Sequence, residues 1–128
     1  MTAPTVSPAT RAALRDIAAL HEACGDPARL RLLNLLAGGE LCVCDLQDLT
    51  GESQPFVSRH LARLRDAGLV AVVRRSKFAY YSLAELPIHA QRQLDAILDG
   101  LHAADARLRR ERNAAAATAA RRGAVPCA

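Results

Sequence analysis

The chain has 128 residues, a formal net charge of +4 and 51% hydrophobic residues, of which very few are aromatic (3%). A core of that composition is built from Leu, Ala and Val, which suits one domain of packed helices rather than a β-sandwich. No apolar run approaches the ~18 residues of a membrane span, and the start, MTAPTVSPAT, has no basic segment leading into an apolar one, so neither a membrane partner nor a signal peptide is expected and a cytoplasmic location is.

Among the seventeen basic residues only Lys77 is lysine. Arginine makes bidentate contacts with phosphate and guanine, so the bias suits a nucleic-acid partner, although a GC-rich genome also produces it. In a reducing cytosol the four cysteines are expected as free thiols or metal ligands rather than disulfides.

Residues 1–8 carry two prolines and small polar residues and are expected to be a flexible N-terminus. A helical pattern starts near Ala9, with Leu14, Ile17, Ala18 and Leu20 to Cys24 on one apolar stripe. Gly25-Asp26-Pro27 supplies a stop, an N-cap and a first-turn proline in succession. A second helix follows from Pro27 to about Ala37 and ends at Gly38-Gly39. A short third helix is expected from about Val43 to Leu49, with Thr50-Gly51-Glu52 as the turn. Ser53 is a suitable N-cap for a fourth helix that runs to about Ala67 and stops at Gly68. Leu69 to Val73 and Phe78 to Ser82 read as two strands around the basic tip Arg74-Arg75-Ser76-Lys77. One long last helix is expected over about Leu86 to Arg112. The organisation is therefore a domain over residues 9–112 and a flexible low-complexity tail over 113–128, whose alanines could extend the last helix before it frays. The fold class is mainly α with a β-hairpin wing, a winged helix-turn-helix.

On a wheel of about 100° per residue, Val57, Leu61 and Leu64 make the buried side of the fourth helix and Ser58, Arg59 and Ala62 lie roughly opposite. Its N-terminal end, capped by Ser53, presents Gln54, Ser58 and Arg59 with little bulk around them. An amide suited to adenine, a guanidinium suited to guanine and a small hydroxyl are what entry into a major groove requires. Arg63, Arg65 and the tip residues Arg74, Arg75 and Lys77 could hold phosphates on either side. His60 lies near the apolar edge and reads as a packed residue rather than a ligand. Phe56 either braces the turn or touches a thymine methyl.

Cys42-Val43-Cys44 is the chemical feature of the chain. Two residues apart on a helix, side chains diverge by about 200°, so the sulfurs could share an ion only if the entrance to the third helix is extended or unwound. That helix is the first half of the DNA-reading unit, so ion capture there is a candidate switch. Thiolates select soft or borderline ions such as As(III), Sb(III), Cd(II), Pb(II) or Zn(II), and capture requires loss of the thiol protons. A disulfide across one intervening residue is expected to be strained, which ranks a thiol redox sensor lower. A thiol enzyme ranks lower still, because no C-x-x-C motif and no anion-binding loop accompany the pair.

ESQPFVSRHLARLRDAGLV with the basic hairpin and YYSL, GDPARLRLLNLL before it and ELCVCDL between them resemble the ArsR/SmtB family of winged-helix repressors, over about Ala19 to Leu83. ELCVCDL is similar to the inducer site of the arsenic-, cadmium- and lead-sensing members. The resemblance implies a homodimer packed through the first and last helices. It implies an inverted-repeat double-stranded operator that is bound without inducer and released with it. It puts Gln54, Ser58 and Arg59 at the base-reading positions and Arg74 to Lys77 in the wing. The nearest arsenic-sensing pattern adds a third cysteine where this chain has Gln47, which leaves Cys24, Cys127, water or nothing as the third ligand. No cysteine occurs in residues 1–23, which lowers a four-thiolate Cd(II) or Pb(II) site and leaves As(III) or Sb(III) as the expected inducer. The family's second site, for Zn(II), would draw on His89, Asp95, Asp99, His102 and Asp105, but Pro87 stands where the first histidine would be.

Overall fold

A computed structural model of the chain describes residues 5–124. Two helices come first, α1 (Pro8–Cys24) and α2 (Pro27–Leu36), then the two-residue strand β1 (Leu41–Cys42). Helices α3 (Val43–Thr50) and α4 (Gln54–Asp66), strands β2 (Val70–Arg75) and β3 (Phe78–Leu83), and helices α5 (Ile88–Ala104) and α6 (Ala106–Ala124) complete it. Of the segment expected as a flexible N-terminus, residues 1–4 lie outside the described residues, and Ser7 caps α1 by accepting from the Thr10 N–H at 3.1 Å.

The local signals act where the sequence places them. Asp26 caps α2 by accepting from the backbone N–H groups of Ala28 and Arg29 at 2.8 and 3.2 Å. Helix α3 ends at Gly51, whose φ of 74° is the left-handed conformation that glycine adopts without a Cβ penalty. Ser53 Oγ accepts from the Phe56 N–H at 3.3 Å, and Pro55 occupies the first turn of α4. The interior is leucine-built: Leu33, Leu35, Leu41, Leu46, Val57, Leu61, Leu64 and Leu94 have no exposed surface. The expected buried side of α4 is the one that packs, and truncating one of its leucines to alanine would cost about 2–5 kcal/mol.

Three features differ from expectation. The hairpin belongs to a three-stranded antiparallel sheet, in the order β1-β3-β2, because Leu41 and Cys42 pair with Tyr81 and Tyr80. The single last helix expected over Leu86 to Arg112 is interrupted at Asp105, which takes an extended conformation (φ −153°, ψ 132°). Its carboxylate accepts from the Arg107 and Leu108 N–H groups at 2.6 and 3.2 Å and so caps a new helix. That helix does not end at 112. It runs to Ala124, through most of the segment expected as a flexible tail, and Ala115 within it is completely buried.

Helix α6 docks by close approach. A Cβ on Gly38 would lie 2.8 Å from the Arg112 carbonyl oxygen and the Ala116 nitrogen, and one on Gly39 would lie 2.6 Å from Ala119 Cβ. Polar contacts fix the same face. Arg112 donates to Asn34 Oδ1 (3.0 Å) and to the Leu98 carbonyl (2.9 Å), and buried Asn34 donates to the Leu108 carbonyl (2.9 Å). Arg31 pairs with Glu111 at 2.8 Å and reaches the Thr50 carbonyl at 3.4 Å. The last helix is thereby tied to the end of α3.

Candidate thiol site and nucleic-acid interface

The thiol site is built on a junction. Cys42 pairs with Tyr80 in the sheet and is also the N-cap residue of α3, with extended backbone angles (φ −88°, ψ 170°). Cys44 sits in the first turn of that helix. This is the extended entrance that two converging sulfurs require. The Cα atoms are 5.5 Å apart and the sulfurs are joined as a disulfide. The expectation of free thiols is corrected at this pair. The reason is local: one cysteine is still in strand geometry while the other has entered the helix, so both side chains leave on the same side.

Asp45 completes the group. Its carboxylate accepts from the Cys42 N–H at 3.1 Å, and its ligand oxygen and the two sulfurs all lie within 4.8 Å of one another. Cys42 and Asp45 are buried at 3% and 2% exposure, and Tyr80 and Phe78 pack against the pair. Reduced to thiolates, the two soft sulfur donors beside a hard carboxylate make a donor set able to hold a thiophilic ion, with a near-dry wall on one side. It is the sole group of three such residues able to hold an ion among the described residues. Sequence reasoning missed Asp45; its position three residues after Cys42, at the N3 site of a helix, was the signal.

The other candidate ligands lie elsewhere. Cys24 is free and buried within the main core on α1, apart from the cluster that holds Cys42. Burial pushes its thiol up in pKa, against the opposing pull of Arg29. Cys127 falls outside the described residues. His89 Nε2 lies 3.2 Å from Asp16 Oδ2 and joins α5 to α1, while Asp95 accepts from Gln91 at 2.8 Å. Asp99, His102 and Asp105 are exposed.

The proposed reading face lies on α4. Ser53, Gln54 and Arg59 are exposed and Ser58 is half-buried, with Gln54 Nε2 donating to Ser58 Oγ at 2.8 Å. The Arg59 guanidinium stands 5.6 Å from the centroid of the Phe56 ring. Phe56 in turn meets His60 edge-on, with centroids 4.7 Å apart, so it braces this end of the helix. Arg63 pairs with Glu22 at 2.9 Å, both well exposed. In the hairpin, Arg74, Arg75 and Lys77 are exposed around a tip where Ser76 has a φ of 57°. Arg75 pairs with Glu40 and stacks on the Tyr80 ring at 4.3 Å; Lys77 lies 5.8 Å from the Phe78 ring centroid. Large apolar residues are exposed on α1 and α5, Leu14 at 63% and Ile88 at 67%. No helix among the described residues is long and apolar enough to cross a membrane.

The family described as "Bacterial regulatory protein, arsR family" matches residues 26–72. The arsenic resistance transcriptional regulator ArsR1 of Pseudomonas putida is 42% identical over 76 residues, which cover 58% of this chain. The chain spans 59% of that regulator's length. The arsenical resistance operon repressor of Escherichia coli K12 is 41% identical over 78 residues, 59% of this chain and 67% of the repressor. Among solved structures, the homodimeric winged helix-turn-helix DNA-binding domain Mb0332 of Mycobacterium bovis has a TM-score of 0.61 at 28% identity, covering 77% of this chain and 92% of the domain. The AntR antimony-specific transcriptional repressor has a TM-score of 0.59 at 27% identity, covering 80% of this chain and 97% of AntR.

Proposed function

The chain belongs to the arsR family of bacterial regulatory proteins, and on that premise we propose that it is a dimeric transcriptional repressor that releases its operator when As(III) or Sb(III) binds Cys42 and Cys44. The observation that carries the reading is the junction itself. Both sulfurs converge at the entrance of α3, the helix that leads through Gly51 into the DNA-reading helix α4. Asp45 is the third donor in reach, standing beside the pair where Cys24 does not. The named inducers are thiophilic, and two relatives are named for arsenic or arsenical resistance while a similar solved structure is named for antimony.

On DNA, Gln54, Ser58 and Arg59 read base edges from the N-terminal end of α4, with Ser53 at its cap. Arg63 and the wing residues Arg74, Arg75 and Lys77 hold phosphates. A C2-symmetric dimer reads an inverted repeat. Leu14 on α1 and Ile88 on α5 supply exposed apolar surface on the two helices expected to pair. A second reading keeps the repressor and makes the input oxidation, and the joined sulfurs favour it.

The test is anisotropy of a labelled duplex from upstream of the gene, with reduced protein and parallel titrations of As(III), Sb(III), Cd(II), Pb(II) and Zn(II). Release by the trivalent ions with little effect of the divalent ones is expected. Release by Cd(II), Pb(II) or Zn(II) instead would transfer the reading to a divalent sensor. Release by a thiol oxidant, with none by any ion, would establish the redox reading.

A further inference from the structure

The wing and the thiol site share residues. Cys42 faces Tyr80 across the β1–β3 ladder, and Cys44 packs against the cluster these two form. Tyr80 also meets Arg75, whose guanidinium stacks on its ring at 4.3 Å and pairs with the carboxylate of Glu40. Glu40 stands two residues before Cys42, immediately ahead of the same short strand. A wing arginine therefore links the residue just ahead of the sulfur-bearing strand to the tyrosine opposite Cys42, and it does so with the sulfurs joined.

We propose that Glu40 is a positioning residue that couples the thiol pair to the wing: with the sulfurs joined, its carboxylate takes the place of a DNA phosphate on Arg75. The inference rests on the repressor reading of the same site. A carboxylate and a phosphate oxygen compete for the same donors of one guanidinium, so Arg75 cannot serve both fully. Joining the sulfurs fixes the edge of β1 against Tyr80 and so fixes Glu40 over the arginine. With the thiols apart, the ladder pairs of β1 remain but Glu40, just outside them, is released, and Arg75 is free to reach the backbone of the duplex. When As(OH)3 does the joining, two As–S bonds form as two As–O bonds break. The two thiol protons leave with the displaced hydroxyls as water, and nothing is oxidised or reduced.

The experiment uses the full chain and a random-sequence labelled 30-base-pair duplex, because a phosphate contact needs no operator. The salt dependence of binding is measured for the natural protein, Glu40→Gln and Arg75→Ala, each reduced and each with As(III). In the natural protein, As(III) should flatten the slope of log K against log salt by roughly 0.9 for each wing arginine withdrawn. Glu40→Gln should keep the steep slope with As(III), and Arg75→Ala should show the flat slope in both states. If Glu40→Gln responds to As(III) as the natural protein does, or if neither slope changes, the coupling is wrong. Operator release by As(III), measured separately, decides the repressor reading, so a failure of the coupling alone is distinguishable from a failure of both.

Discussion

Cys42 lies directly opposite Tyr80 in the antiparallel ladder, so the first sulfur of the pair belongs to the same sheet as the wing. It also caps α3 and therefore belongs to the helix-turn-helix. One residue stands at the meeting point of the two parts that would touch DNA. On the proposed reading, a change of bonding at its sulfur would act on both without a long route through the core.

Recognition of a base by Arg59 sets the first expectation. Arg59→Ala should weaken operator binding by about 1–3 kcal/mol and relax discrimination at one base pair, as measured by anisotropy against a set of single-base operator variants. Its side chain is exposed and stands against the Phe56 ring, so the fold should be unaffected. Undiminished affinity and discrimination would move the reading face elsewhere on α4.

Docking of α6 gives a second. Gly39 has a φ of +146°, and an added Cβ would fall 2.6 Å from that of Ala119. Gly39→Ala should lower stability in urea denaturation by about 1–3 kcal/mol, from backbone strain and overpacking together. A neutral substitution would show that Ala119 does not hold α6 against this loop.

The N-cap of α2 carries a pH dependence. Burial opposes ionisation of Asp26, but the N–H groups of Arg29 and Ala28 and the charges of His60 and Arg29 outweigh it and hold the carboxyl below its usual value of 3.8. A depressed carboxyl contributes stability that is present above the unfolded-state value and is lost as pH falls through the folded one. The stability difference between the natural protein and Asp26→Asn should therefore hold from neutral pH down to about pH 4 and shrink below it. Urea denaturation across that range measures it, and a difference that grows on acidification would reverse the sign.

Much of this was legible in the sequence because the signals are local. Gly25-Asp26-Pro27, Gly51 and Ser53 act on their immediate neighbours, and each ends or begins a helix where their chemistry predicts. The need for an extended segment at Cys42 followed from side-chain geometry alone. Strand β1 was not legible, because two residues carry no period and its hydrogen bonds come from residues about 40 positions away. The break at Asp105 was hidden by apolar spacing that continues from Leu101 to Leu108 in near-helical register, although Asp105 is a capping residue type. The alanines after Asn113 show no amphipathic contrast, and what orders them is the absence of side chains at Gly38 and Gly39. The partnership of Glu40 with Arg75 joins residues 35 apart and has no local signature.

As(III) sensing at Cys42 and Cys44 is tested most directly by operator release from reduced protein, compared between the natural chain, Cys42→Ser/Cys44→Ser and Cys24→Ala. The double variant should bind the duplex as the natural protein does and should not let go at As(III) concentrations that empty the natural protein. Cys24→Ala, altered only in the core, should release normally. Continued release from the double serine variant would contradict sensing by this pair and place the sensor away from the entrance of α3.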